Sequence, residues 1–121
     1  GGNMQVQSLF ATTAAVVTGT ASVSHIFIGT RYVVPVTRTT TMTDNATLSA
    51  LTSTTIQTFN PTSNRDVVLP GTPATGLTYV IKHFGAAHQL AIKDNAGSSL
   101  DTVYAGGATT VVYDGTAWQV L

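Results

Sequence analysis

Short apolar runs separated by turn signals fill the second half of the chain. The turn signals, which contain Gly, Pro, Asp and Asn, recur about every 8–12 residues, a spacing typical of all-β domains. The runs between them are rich in Val, Ile, Thr, Tyr and Trp, residues that suit a pleated, half-buried surface. One turn is specific, because Asp114-Gly115 predicts a type I′ hairpin, which requires positive φ at both central residues. The pattern predicts strands over residues 67–69, 77–84, 89–93, 100–104, 109–113 and 117–121.

The first half of the chain has a weaker pattern. Residues 1–21 form a lead-in and a run of Ala, Thr and Val, for which an extended arm is favoured because β-branched residues are poor helix formers. Residues 22–36 carry apolar side chains on both faces, which predicts one strand covered on both sides and ended near Pro35. The Thr-rich residues 37–43 can also be extended. Residues 44–59 favour strand or turn, with a short helix as the alternative.

Charged residues are scarce for a chain of 121 residues. Five Lys or Arg and five Asp make up 8% of the sequence and give a formal net charge of zero, whereas soluble domains average about 25% charged residues. A lone domain usually keeps more of its surface charged in order to stay soluble. Much of this surface is therefore expected to be buried in an obligate oligomer or a larger assembly. The alternative is a monomer solubilised by its Thr and Ser hydroxyls.

The same composition disfavours several classes of partner. The five basic residues are scattered, so the phosphate neutralisation that nucleic-acid binding requires is not expected. No run approaches the length of a membrane span, about 18 apolar residues, and no secretory signal is visible. Cysteine is absent, which excludes disulfides and thiolate metal sites. The sequence therefore predicts neither a nucleic-acid partner nor membrane contact.

Catalytic and metal-binding patterns are also missing from the sequence. His25 lies in an apolar run and is expected to be a core or interface residue. His83 and His88 flank a turn, where they could face each other in a hairpin, but the three or four convergent donors of a metal site are not evident. Asp94 and Asp101 flank another turn, where Asp is common for conformational reasons. With no nucleophile elbow or phosphate-binding loop, we expect no catalytic residue, cofactor or metal, and no enzyme activity.

A composite motif begins at Phe59. It consists of an aromatic residue, Asn-Pro, a short polar stretch, Arg-Asp-Val-x-Leu-Pro and a Gly, followed by an Asp-containing strand and a closing Asp-Gly-x-x-Trp. It resembles a segment of tailed-bacteriophage virion proteins, which occurs in tail fibres and in head-decorating (cement or head-fibre) proteins, and it covers about half of the chain. His83 departs from that pattern, in which an Asn is common. The motif residues are Phe59, Asn60, Pro61, Arg65, Asp66, Val67, Leu69, Pro70, Gly76, Asp101, Asp114, Gly115 and Trp118.

The expected fold is all-β, with short antiparallel strands in a sandwich, barrel or prism and an extended N-terminal arm; the resemblance implies a trimer. Residues 1–36 would form the arm and residues 37–121 the trimerising domain, of which residues 62–121 are the best defined. Pro70 should end a strand, and Trp118 should fold back over the preceding strand with its indole N–H on a carbonyl. Arg65 and Asp66 should fix a turn or pair between subunits. The residues expected to specify the fold and the trimer are Phe59, Pro61, Arg65, Asp66, Leu69, Pro70, Asp114, Gly115 and Trp118.

The resemblance implies a structural protein on the outer surface of a phage capsid, which binds the major capsid protein as a homotrimer and stabilises the shell. The arm would lie across coat subunits or add a strand to them, because β-augmentation makes little demand on side-chain identity. The alternative is a tail-fibre or receptor-binding subunit that attaches the phage to its host, and a carbohydrate-binding module unconnected with phage is a weaker third. The arm residues expected to contact the coat are Gln5, Val6, Leu9, Phe10, Val16 and Val17.

Overall fold

The computed structural model describes residues 26–28 and 31–121, and the side chains from residue 33 onwards. Within these ranges the chain forms strands and turns and no helix, which confirms the all-β prediction. The strands are β1 (Ile26–Ile28), β2 (Arg31–Val33), β3 (Val36–Met42), β4 (Ala46–Thr47), β5 (Ile56–Pro61), β6 (Arg65–Val68), β7 (Thr78–His83), β8 (Gln89–Lys93), β9 (Ser99–Tyr104), β10 (Ala108–Tyr113) and β11 (Trp118–Val120).

Strands β3 to β8 form a stack of three coils. β3, β5 and β7 lie side by side and parallel in one sheet, while β4, β6 and β8 lie side by side and parallel in a second sheet. The chain passes from one sheet to the other at each connection, so each of the pairs β3–β4, β5–β6 and β7–β8 is one coil. Val36 of β3 pairs with Ile56 of β5, which pairs in turn with Val80 of β7. Each coil therefore uses on the order of 20 residues, as in solenoid proteins.

Antiparallel strands complete the two sheets beyond the third coil. β9 pairs with β8, β10 pairs with β7, and β11 pairs with β10. The result is a five-stranded sheet in the order β11-β10-β7-β5-β3 and a four-stranded sheet in the order β4-β6-β8-β9. β1 and β2 form a separate antiparallel pair just before β3. The stack thus starts on the parallel edge strands β3 and β4 and finishes on the antiparallel edge strands β9 and β11.

The hydrophobic core lies between the two sheets. Every second side chain is buried in β5 and in β7, because successive side chains of a strand point to opposite faces of its sheet. Buried apolar residues from both sheets form a single cluster, so the sheets pack face to face. Its members are Met42, Leu48, Phe59, Val67, Leu69, Tyr79, Ile81, Leu90, Ile92, Val103, Val111, Tyr113 and Trp118.

The expectation of purely antiparallel strands is wrong for the three coils. Parallel neighbours need a long crossover connection, which is usually a helix, and here the crossover from each strand to the next is a strand of the opposite sheet. The hydrophobic pattern does not reveal this arrangement, because one-sided burial gives the same alternation in parallel and antiparallel pairs. Neither sheet closes on itself, so the barrel alternative is also wrong for the described residues.

One local prediction in the first half of the chain is corrected as well, and another is confirmed. The single strand predicted over residues 22–36 is instead the pair β1–β2, with Ile28 opposite Arg31, and β3 begins directly after Pro35. Residues 44–59 form strand and turn, as predicted, with turns between β4 and β5, and the alternative of a short helix does not form. The many Thr residues of this segment are poor helix formers, and this propensity outweighs the helical spacing of the apolar residues.

Candidate functional site

The first part of the composite motif, residues 59–70, belongs to the middle coil of the stack and the turn that follows it. Phe59 lies near the end of β5, Val67 is the third residue of β6, and Pro70 follows shortly after β6. Val67 and Leu69 are fully buried, and Phe59 joins them in the core. Because the middle coil contacts a coil on each side, its side chains determine how both neighbours pack.

Asparagine side chains join each coil to the next at one corner of the stack. Asn45, which precedes β4, accepts a hydrogen bond from the backbone N–H of Asp66 at 2.9 Å. Asn64 lies at the equivalent corner one coil later and accepts a hydrogen bond from the backbone N–H of Gln89 at 3.1 Å. Each bond satisfies a backbone donor at or next to the start of a strand. The corners are therefore held in register by the same chemistry in successive coils.

Asn60, His83 and Gly85 pack together at the same corner. The Nδ2 of Asn60 donates to the carbonyl oxygen of Thr40 at 3.1 Å, and its Oδ1 occupies the space that a Cβ on Gly85 would need. His83 is fully buried; its Nδ1 accepts a hydrogen bond from the N–H of Gly85, and its Nε2 contacts the carbonyl oxygen of His88, both at 3.1 Å. Since Nδ1 accepts, the ring hydrogen lies on Nε2 and is donated to His88.

The histidines of the described residues thus take part in hydrogen bonds with backbone groups. Both ring nitrogens of His83 are bonded, and His88, with a φ of 72°, supplies its carbonyl from the left-handed region. The two do not face each other across a hairpin, because β7 and β8 belong to different sheets. His25 lies outside the described residues. Among residues 26–28 and 31–121 no group of three or more His, Asp or Glu side chains is placed to hold a metal ion, and the absence of catalytic residues and cofactors stays a prediction.

Trp118 closes the core against the middle coil. Its indole N–H donates to the carbonyl oxygen of Pro70 at 2.9 Å, which confirms that this donor finds a backbone carbonyl. The ring stacks on Tyr79, with 5.8 Å between ring centroids. It makes a T-shaped contact with Tyr113, with 5.6 Å between ring centroids. The hydroxyl of Tyr79 donates to the carbonyl oxygen of Ser49 at 3.0 Å, and burial raises the pKa of Tyr79. This aromatic cluster ties β11 to β7, β10 and the turn after β6.

The turn after β10 is not the predicted type I′ turn. Gly115 has a φ of 100°, whereas Asp114 is not in the left-handed region. The Asp114 carboxylate instead accepts hydrogen bonds from the N–H groups of Ala117 and Thr116, each at 2.9 Å, and from the side-chain amide of Gln119 at 3.0 Å. Because the side chain closes the turn, only the glycine needs a positive φ.

These bonds predict how stability responds to acid. The backbone N–H groups of Ala117 and Thr116 favour the charged carboxylate and hold the pKa of Asp114 below its ordinary value of 3.8. The resulting stabilisation is complete above the unfolded pKa and is lost as pH falls through the folded pKa. We expect Asp114→Asn, whose amide oxygen can accept the same bonds, to reduce the fall in melting temperature between about pH 5 and pH 2. Carbon-13 NMR titration of the Asp114 carboxyl checks the cause, and a midpoint at or above the ordinary value would contradict it.

The two adjacent charged residues of the motif, Arg65 and Asp66, bond different side chains. The carboxylate of Asp66 pairs with the ammonium group of Lys93 at 3.0 Å on the neighbouring strand, and this is the one ion pair among the residues whose side chains are described. Arg65 donates through Nη2 to the hydroxyl of Thr62 at 3.1 Å, which fits the prediction that it fixes a turn. A pair between subunits stays a prediction for Arg65.

One cavity gathers residues that the sequence did not place together. It lies where the turns β6–β7, β8–β9 and β10–β11 meet, and its volume is about 280 Å³. The sequence pattern assigns Tyr113 and Trp118 to strands, and they do lie at strand ends, but both also line this cavity. Its polar lining comes from Asp94, Asn95, Thr72 and Thr116. The turns are far apart in the chain, so the only available signal was their shared Asp, Asn and Thr content.

The six predicted coat-contact residues, Gln5, Val6, Leu9, Phe10, Val16 and Val17, all lie outside the described residues. Among the residues that the structure does describe, no helix is long and apolar enough to cross a bilayer. The geometry defines a small all-β protein built on three stacked coils, with a cavity at the turns that follow β6, β8 and β10. Comparisons with protein-family models, with curated proteins and with solved structures gave no match.

Proposed function

We propose that this chain is a structural virion protein of a tailed phage that decorates the outer surface of the capsid and stabilises it. It acts as a homotrimer that binds the major capsid protein, with residues 1–36 as the coat-contacting arm. The observation that carries the proposal is the exposed edge strand β3, combined with a scarcity of charge that leaves the surface suited to burial in an assembly.

β3 has the properties of a strand that pairs with another chain. It is seven residues long, and five of its residues are exposed, among them Val36 at 54%. Its only charged residue is Arg38. Free edges are normally protected by charges, prolines, bulges or shortness, since they present unpaired N–H and C=O groups. β3 has a register irregularity between Thr39 and Met42, but its length and low charge leave most of the edge available for strand addition.

Symmetry limits how the β3 edge can be used in a trimer. If β3 paired with β3 of a second copy, the contact would be isologous and would generate a two-fold axis. A three-fold assembly needs a heterologous contact between different surfaces of neighbouring subunits. Pairing of β3 with β3 is therefore not the contact that builds a trimer, and in this proposal the trimer forms through other surfaces while β3 pairs with a strand of another protein.

The resemblance to phage virion proteins supports the proposal independently of the edge strand. Its residues Phe59, Val67 and Leu69 belong to the core of the middle coil. Its Trp118 bonds the Pro70 carbonyl, so these parts of the motif hold the coils together. This is what a rigid structural subunit requires, because a shell-stabilising trimer must keep three weak footprints in fixed relative positions to gain avidity.

The test compares the full chain with a variant that lacks residues 1–21. Capsids without this subunit are incubated with each protein, and bound protein is measured by co-sedimentation. The truncation should abolish capsid binding while light scattering still reports a trimer. Thr41→Lys, which adds a charge to the exposed edge of β3, should weaken binding at least about tenfold because charges block strand addition.

Ala108→Lys is the matched control, since it adds the same charge to the exposed face of β10, an interior strand of the same sheet. It should bind capsids as the wild-type chain does. Full binding by the truncated chain would overturn the role of the arm. Immunogold labelling of intact virions separates head from tail: gold at the tail tip would replace capsid decoration by the alternative of host attachment.

A further inference from the structure

The cavity where the turns β6–β7, β8–β9 and β10–β11 meet is a depression that is open to solvent. It is walled by three turns that follow β6, β8 and β10 and come from well-separated parts of the chain. Its volume of about 280 Å³ is close to the lower limit for small-molecule pockets, about 300 Å³. A ligand that fills it is therefore the size of a single ring compound.

Tyr113 supplies a hydroxyl that is available in this cavity. The residue is 7% exposed, yet its hydroxyl makes no hydrogen bond with the described residues. Arg65 Nε is the only fully enclosed side-chain polar atom of the described part that lacks a partner, so the Tyr113 hydroxyl must reach open space. The neighbouring Tyr79 differs, because its hydroxyl is bonded to Ser49. A phenol hydroxyl that reaches open space can both donate a hydrogen bond to a ligand hydroxyl and accept one from it.

Further side chains that line the cavity carry both hydrogen-bond donors and acceptors. The side chains of Thr72, Asn95 and Thr116 line the cavity and make no hydrogen bond within the described part of the chain. The Oδ1 of Asp94 accepts the N–H groups of its own turn, while its second oxygen has no described partner. Together they offer hydroxyl groups, an amide and one carboxylate oxygen, which can both donate to and accept from a ligand.

The charged and apolar residues that line the cavity indicate which class of ligand it could bind. No Lys, Arg or His lines the cavity, so an anionic ligand would meet the Asp94 carboxylate without any compensating cation. Trp118, Tyr113 and Leu100 provide an apolar wall. A pyranose ring has the matching character, since it carries hydroxyl groups on its rim and C–H groups on its faces.

We propose that this cavity binds one neutral hexopyranose unit, with the Tyr113 hydroxyl bonded to a sugar hydroxyl. The ring would lie against the apolar wall, and the Asn95, Thr72 and Thr116 side chains would bond its outer hydroxyls. The proposal goes beyond the capsid role and does not depend on it, because the cavity lies at the turns after β6, β8 and β10 and involves neither the arm nor β3.

The experiment uses the full chain and its single tryptophan. Methyl α-D-glucopyranoside, methyl α-D-galactopyranoside, methyl α-D-mannopyranoside and N-acetyl-D-glucosamine are titrated while Trp118 emission is recorded. Saturation-transfer difference NMR provides a second readout that does not depend on that emission. At least one sugar should give a saturable change with a dissociation constant of about 1 mM or lower, equivalent to about −4 kcal/mol. D-glucuronate should bind at least about tenfold more weakly than the glucoside because of its charge.

Substitutions then locate the site. Tyr113→Phe removes one oxygen and should weaken binding at least about tenfold, because a site built to bond a hydroxyl loses that bond. Thr116→Val, on an exposed turn, should weaken binding even if Tyr113→Phe proves unstable in a thermal melt. Tyr104→Phe is the control, since Tyr104 is 65% exposed and does not line the cavity. No saturable change with any of the four sugars, or wild-type affinity in both cavity variants, would overturn the proposal.

Discussion

Replacing Trp118 with alanine is expected to lower the free energy of unfolding by about 3–5 kcal/mol, the range for removing a buried aromatic side chain. The side chain is 6% exposed and contacts Tyr79 and Tyr113. The substitution opens a cavity between the sheets and leaves the Pro70 carbonyl without its donor. Since small domains have only about 5–15 kcal/mol of stability in total, the variant should be close to unfolding. Urea denaturation followed by far-ultraviolet circular dichroism measures this loss without relying on tryptophan emission.

Trp118→Phe separates the two contributions. Phenylalanine keeps most of the ring contacts and loses the N–H donor, so its cost should be smaller, on the order of 1–3 kcal/mol for one lost hydrogen bond at a partly buried acceptor and a smaller ring. A Trp118→Ala variant within about 1 kcal/mol of the wild-type chain would show that the aromatic cluster does not close the core.

The second large effect is expected at the middle coil. Leu69→Ala should cost about 2–5 kcal/mol, because Leu69 is fully buried and its removal leaves a cavity that the flanking coils cannot fill without shifting. Val68→Ala is the matched control, since Val68 lies on the outward face of β6 and is only half-buried; its cost should be much smaller. Both variants are measured by thermal and urea unfolding at the same chain concentration, because oligomer stability depends on concentration.

Equal losses in Leu69→Ala and Val68→Ala would contradict the assignment of Leu69 to the core and of Val68 to the outward face. Such a result would mean that the Leu69 side chain does not pack between the two sheets. It would also remove the structural basis for treating Leu69 as a residue that specifies the fold.

The sequence predicted the C-terminal strands well because the local signals agree there. Strand β8 spans Gln89–Lys93, as predicted, and β7, β9, β10 and β11 differ from their predicted spans by only a residue or two. In this region alternation, β-branched content and turn residues all point to the same boundaries, and that agreement makes a local prediction dependable. The donor role of Trp118 followed from general chemistry, because a buried indole N–H needs an acceptor.

The parts that failed depend on relations between distant residues. Strand direction leaves no trace in alternation, so β3, β5 and β7 could not be recognised as parallel neighbours. At Asp114 the dipeptide correctly indicated a turn, but its type was decided by the carboxylate, which bonds Ala117 and Thr116. The cavity is the clearest case, since its walls come from three turns whose proximity exists only in the folded chain.

The repeated coil also gives the molecule a unit of length. Neighbouring strands in a sheet lie about 4.8 Å apart, so each coil advances the stack by that step. Each coil is joined to the next by strand pairing and by one corner asparagine, Asn45 or Asn64. Inserting or deleting one whole coil would therefore move everything beyond it along the stack by a single step while preserving the pairing on either side. Evolution or design can therefore change the length of the stack in fixed increments of one strand spacing.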